Sequence, residues 1–127
     1  MDVQRKKPTT KGPAEWFTGD VWIDSLGTGQ ASPAMGVGAV HFSPGARTAW
    51  HRHAIGQSLY VVEGESRVQA EGGPVTVIRA GDMVRIEGGE RHWHGAAPDH
   101  FMTHLAMTEG DATWLEHVTD AEYLGSD

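Results

Sequence analysis

Two short histidine pairs constrain this chain more than any other feature: Trp50-His51-Arg52-His53 and Arg91-His92-Trp93-His94. Each puts two imidazoles at i and i+2, which in an extended strand point to the same face. Each follows a turn marked by small or rigid residues, Pro44-Gly45 and Gly88-Gly89. A lone His-X-His often decorates a surface; two of them, each beside a Trp, point to strands that bring four imidazoles to one place. Gln57, four residues after His53, adds a neutral oxygen donor. Donors of this kind suit a borderline to hard divalent cation.

The rest of the chain reads as many short strands. It has 127 residues with 17 Gly and 6 Pro, enough for one domain rich in tight turns. Residues 1–19 form an N-terminal arm without periodicity, anchored by Trp16 and Phe17, and 20–127 form the domain. Val21–Ile23, Met35–Phe42, Ser58–Val62, Ser66–Ala70, Val75–Ile78, Met83–Ile86, Arg91–Gly95 and Phe101–Met107 read as strands, with Glu63-Gly64-Glu65 as a hairpin turn. Strands at this spacing predict an all-β sandwich or barrel. Thr119, with Glu122 three residues on, predicts a capping box and one short C-terminal helix.

Charge and composition exclude several functions. Lys and Arg total 10 against 17 Asp and Glu, a net charge of -7. That acidity argues against nucleic acid or an anionic membrane surface as partner. No cysteine is present, so neither disulfides nor a thiolate nucleophile can serve. The polar start of the chain and the lack of an apolar run near 18 residues predict a cytoplasmic protein without a membrane span.

The motifs carry a resemblance. Gly45, five residues, His51-Arg52-His53, three residues, Gln57, six residues, Gly64 resembles the first cupin motif. Gly81, five residues, Glu87-Gly88-Gly89, two residues, His92, three residues, Ala96 resembles the second. The chain departs from both patterns: Gln57 stands at a usual Glu, Glu87 at a usual Pro and Ala96 at a usual Asn. The resemblance implies a single-domain cupin jelly-roll (double-stranded β-helix) barrel with core motifs at 45–64 and 81–96. It also implies a metal site of His51, His53, Gln57 and His92. With Gln for Glu the ligand set carries no charge, which favours Lewis-acid chemistry over dioxygen chemistry.

Wider stretches, among them Gly12–Gly19, Pro44–His51, His92–Pro98, Met102–Ala106 and Trp114–Asp120, are similar to the small bacterial cupin hydroxynitrile lyases. That likeness implies a manganese-dependent enzyme that reversibly splits (R)-mandelonitrile into benzaldehyde and hydrogen cyanide. The ion expected is Mn2+, with Fe2+, Ni2+ or Zn2+ as alternatives. His94 shares the face of His92 and is the candidate general base. His104 shares the parity of Ala106 and Thr108 and is the candidate second acid/base. Two readings stay open for each: His94 as a residue orienting a ligand, and His104 as a core histidine. The resemblance places Gly38 and Val40 on the cavity wall, and Thr108 edges the pocket. Whether the substrate oxygen or the cyanide meets the ion also stays open.

Other side chains receive plainer expectations. His41 points outward, Arg47 solvates a turn, Trp50 and Trp93 pack beside the site, and Met83, Met102 and Met107 fill the core. The competing functions are a metal-dependent oxygenase or oxidase of a small organic molecule and a non-catalytic small-ligand binding protein. The partners expected are a small-molecule substrate and copies of the chain itself, as a homodimer or homotetramer with Trp22 and the arm near the interface.

Overall fold

Glycine and proline turns cut the chain into twelve strands and one helix, seen in a computed structural model that describes residues 1–125. In chain order the strands are β1 (Thr10–Lys11), β2 (Phe17–Thr18), β3 (Val21–Thr28), β4 (Met35–Phe42), β5 (Arg47–Thr48) and β6 (His51–His53). They continue with β7 (Gly56–Ala70), β8 (Thr76–Arg79), β9 (Met83–Glu87), β10 (His92–Ala96), β11 (Met102–Glu109) and β12 (Ala112–Trp114). Helix α1 spans Asp120–Leu124. Every strand pairing is antiparallel.

Strand β7 organises the barrel. Its first half pairs with β11 and β9, in the face that continues through β4 and β3 to β1. Its second half pairs with β10 and β8, in the face that continues through β5 to β2. The two faces are thus one sheet bent over on a shared strand. The bend falls at Gly64, where φ is 86°. A side chain there would run into the Phe101 carbonyl, so only glycine fits. The hairpin turn expected at Glu63-Gly64-Glu65 is therefore a bend within one continuous strand. Pairing passes from β11 at Met102↔Gly64 to β10 at Ala96↔Ser66, and the chain never reverses.

Inside the fold, Phe17, Val21, Phe42, Ala46, Val61, Ile78, Ala96 and Met102 form the main core. A second cluster of Trp50, Trp93, Val118 and Tyr123 lies where the C-terminal segment packs on the outside of β10. Trp93 alternates with His92 and His94, so it faces away from them. It donates to Gln69 Oε1 at 2.8 Å and packs on Tyr123. The expectation that Trp50 and Trp93 pack beside the site is thus corrected.

Arg47 is also reassigned. It is 6% exposed rather than solvating a turn. Its guanidinium donates to Val118 O and Asp120 Oδ1, both at 2.8 Å, and lies 4.6 Å from the centre of the Tyr123 ring. It fastens the C-terminal segment to the barrel. The capping box holds, with Thr119 Oγ1 accepting from Glu122 N and Glu122 Oε1 accepting from Thr119 N. Of the three methionines expected in the core, Met102 is buried, Met107 half-buried and Met83 exposed. His41 is half-buried, held between Asp24 and Thr103 at 3.0 Å each. No described helix is long and apolar enough to cross a membrane.

Candidate metal centre

Strand alternation delivers the histidines to the interior. In β6, His51 and His53 are buried while Arg52 between them is exposed. In the partner strand β10, His92 lies directly opposite His51. Ring centroids of His51 and His92 are 4.2 Å apart, of His51 and His53 5.0 Å, and of His53 and His92 5.3 Å. One potential ligand nitrogen from each of the three lies within 4.8 Å of the others.

Two of these rings are anchored from behind. His51 Nδ1 lies 2.9 Å from Ala49 O, and His92 Nδ1 lies 2.9 Å from Glu90 O. A carbonyl can only accept, so Nδ1 carries the proton in both rings and Nε2 is left with its lone pair free. Gln57 enters from β7, and its Nε2 donates to Thr108 Oγ1 at 2.9 Å. With the amide in this orientation, Oε1 is left without a partner. Both nitrogens of His53 and Nε2 of His92 are likewise buried and unpaired. Buried polar atoms are normally satisfied. Four donors left open in one place, none of them charged, fit a divalent cation bound by His51, His53, His92 and Gln57 Oε1.

His94 and His104 sit beside this cluster. Their ring centroids are 4.9 Å apart, His94 is 5.3 Å from His51, and Phe42 packs against both rings. They are 5% and 1% exposed, and all four of their ring nitrogens are unpaired. Burial, reinforced by neighbouring imidazoles, pushes His94 well below the ordinary histidine pKa. Burial takes His104 down to about 3 and His92 to about 4, and it also lowers His51 and His53. All five rings are therefore neutral at physiological pH, with lone pairs available for a metal or a proton.

A groove of about 270 Å³ runs between β3, β4 and β11, lined by Ile23, Ser25, Gly36, Gly38, Ala106 and Thr108 among others. The bond that Gln57 donates to Thr108 ties it to the cluster. Gly38 and Thr108 thus fall on one wall, where Gly38 leaves room that a larger side chain would fill. Val40, two residues on from Gly38 in the same strand, pairs with His104 and Ile23 and packs against the main core. A second opening of about 210 Å³, lined by Val68, Val84, Ile86 and Pro74 among others, reaches His92 from the opposite strands. A larger cavity of about 750 Å³ lies outside the barrel, between α1 and the β7–β8 turn, away from the histidines.

Sequence reading passed over two residues that shape the centre. Phe42 separates the interior pair from the core, and its parity with Val40 and Gly38 was the available signal. Trp114 stacks on His51 at 4.4 Å. Nothing local to residues 112–114 announces that contact, which depends on β12 pairing with β6.

A barrel closed over a cluster of histidines from two neighbouring strands is the arrangement of the cupins. The cupin domain family matches this chain over residues 38–114. Over 97% of its length the chain is 52% identical to a Granulicella tundricola protein called (R)-mandelonitrile lyase, covering 98% of that protein. A crystal structure of a cupin-like protein from Thermotoga maritima is 38% identical and superposes with a TM-score of 0.87, over 100% of this chain and 98% of the other. The polyketide cyclase RemF from Streptomyces resistomycificus shares the fold at 18% identity, with a TM-score of 0.63 over 81% of this chain and 75% of that one. The chain belongs to the cupin family.

Proposed function

We propose that this cupin is a metal-dependent hydroxynitrile lyase that cleaves and forms cyanohydrins, interconverting mandelonitrile with benzaldehyde and hydrogen cyanide. Full-length similarity to a protein of that name supports the reading. The observation that carries it is the cluster of buried, neutral, unpaired donors beside two further unpaired imidazoles.

His51, His53, Gln57 and His92 would hold a divalent ion, Mn2+ being the one the resemblance implies. When bound, the ion supplies electrostatic stabilisation for negative charge developing on the reacting groups. No carboxylate among these four residues offsets its charge.

The remaining work is proton transfer. His94, neutral and unpaired, takes the hydroxyl proton of the cyanohydrin. As the carbonyl forms, the bond to the nitrile carbon breaks and its electron pair leaves with cyanide. The same proton must then reach cyanide, because nothing else in the cycle supplies one. His104, with its ring 4.9 Å from that of His94, hands it over. Both rings end neutral, and the reverse sequence forms the cyanohydrin. Burial serves both steps, since the enclosing barrel keeps water from competing for the proton. The groove along Gly38 and Thr108 receives the substrate's carbon skeleton.

A direct test incubates the purified chain, loaded with Mn2+, with racemic mandelonitrile and follows benzaldehyde by its ultraviolet absorbance. Benzaldehyde release above the buffer rate, with one enantiomer consumed first, is the expected result. Release no faster than in buffer, with the ion shown to be bound, contradicts the proposed reaction.

A further inference from the structure

Trp114 has no part in the proton transfers, yet its ring stacks on the ligand His51. Strand β12 lies antiparallel to β6 with Trp114 opposite His51. The indole and imidazole are nearly parallel, 26° apart, with centroids at 4.4 Å. Trp16 of the N-terminal arm stacks in turn on Trp114, at 5.1 Å and 8°. Three rings thus run in series from Trp16, 39% exposed, to His51, 1% exposed.

The arm reaches His51 by a second route. Ala49 N donates to Trp16 O at 2.8 Å, and Ala49 O accepts from His51 Nδ1 at 2.9 Å. A single hydrogen bond at Nδ1 leaves an imidazole free to swing about that contact. A flat ring against its face removes the swing and fixes where Nε2 points. His53 contrasts with it, since neither of its nitrogens is held by the protein.

We propose that Trp114, backed by Trp16, is a positioning residue for His51, which makes the N-terminal arm part of the metal centre. The proposal rests on His51 being a metal ligand, as the proposed function requires. Outer partners of metal ligands typically account for about 10–100-fold in affinity.

The test is titration calorimetry with Mn2+ alone on the metal-free protein and on W114L, W114F and W16A, with thermal unfolding as a check on folding. W114L keeps apolar bulk but loses the ring face, and is expected to bind Mn2+ about 10–100-fold more weakly. W114F keeps a ring face and should restore affinity to within about threefold of the parent, which a role in core packing alone would not produce. W16A should weaken binding by at least about threefold, and it decides the matter if W114L does not fold. Nitrogen NMR of the metal-free protein provides a readout that needs no ion. His51 should show a single Nδ1-protonated tautomer in the parent and W114F, and mixed tautomers in W114L. Unchanged affinity and an unchanged His51 tautomer in W114L and W16A overturn the proposal. A parent that binds Mn2+ but does not cleave mandelonitrile contradicts the proposed reaction alone, and a parent that binds no divalent ion contradicts both.

Discussion

Replacing His94 with Asn is expected to lower kcat for mandelonitrile cleavage by about 10²–10⁴-fold while leaving the bound metal in place. Asn retains a polar side chain of modest size but cannot take up a proton. His94 is two residues beyond His92 and on the same face, yet its ring lies 5.8 Å from that of His92 and beside His104. Metal content and base function therefore separate in this variant. Elemental analysis should give the parent's stoichiometry, and steady-state kinetics should show the loss in kcat rather than in KM. A variant within tenfold of the parent removes His94 as the base and leaves it a residue that orients its neighbours. A variant that has lost its metal makes His94 part of the ion's own environment.

The second large effect is on stability in acid. Five buried imidazoles have pKa values lowered by burial, His104 to about 3 and His92 to about 4. The unfolded chain's histidines titrate near 6.5. Below that pH the unfolded state binds more protons than the folded one, so stability falls as pH falls, until the folded rings protonate in their turn. Each such ring costs about 1.4 kcal/mol per pH unit in this window. His104 and His92 together remove about 2 kcal/mol by one unit below 6.5, and His51, His53 and His94 add to the loss in the same direction. Urea unfolding of the metal-free protein should therefore show a midpoint that drops steeply between pH 7 and 5. A bound ion shifts the fall to lower pH, because protons must then compete with it. A midpoint that stays flat over this range contradicts the burial of neutral histidines on which the site depends.

Much of this architecture was legible in the residues, and the reason is periodicity. The i, i+2 spacing of His51 with His53 and of His92 with His94 specified strand and face together. Met35–Phe42 was readable to its exact ends because Pro44-Gly45 stops it. The capping box at Thr119 identified a helix too short to show a period. Failures came where a local signal has two structural solutions. Gly64 can close a hairpin or bend a strand, and only the pairing of β7 with both β11 and β10 decides between them. Arg47 beside a Pro-Gly turn reads as a solvated residue until the C-terminal segment, distant in sequence, covers it. The Trp–Trp–His stack was illegible for the same reason, since its three rings come from the arm, β12 and β6. The burial of His51, His53, His92 and His94 was readable because strand parity is local. What holds them in place is not.

Stripping the ion from the protein is the decisive experiment. The protein is stripped with a chelator, its metal content measured, and mandelonitrile cleavage assayed before and after Mn2+ is returned. Cleavage should vanish with the ion and return with about one ion per chain. A metal-free protein that cleaves mandelonitrile at the parent's rate would contradict the account.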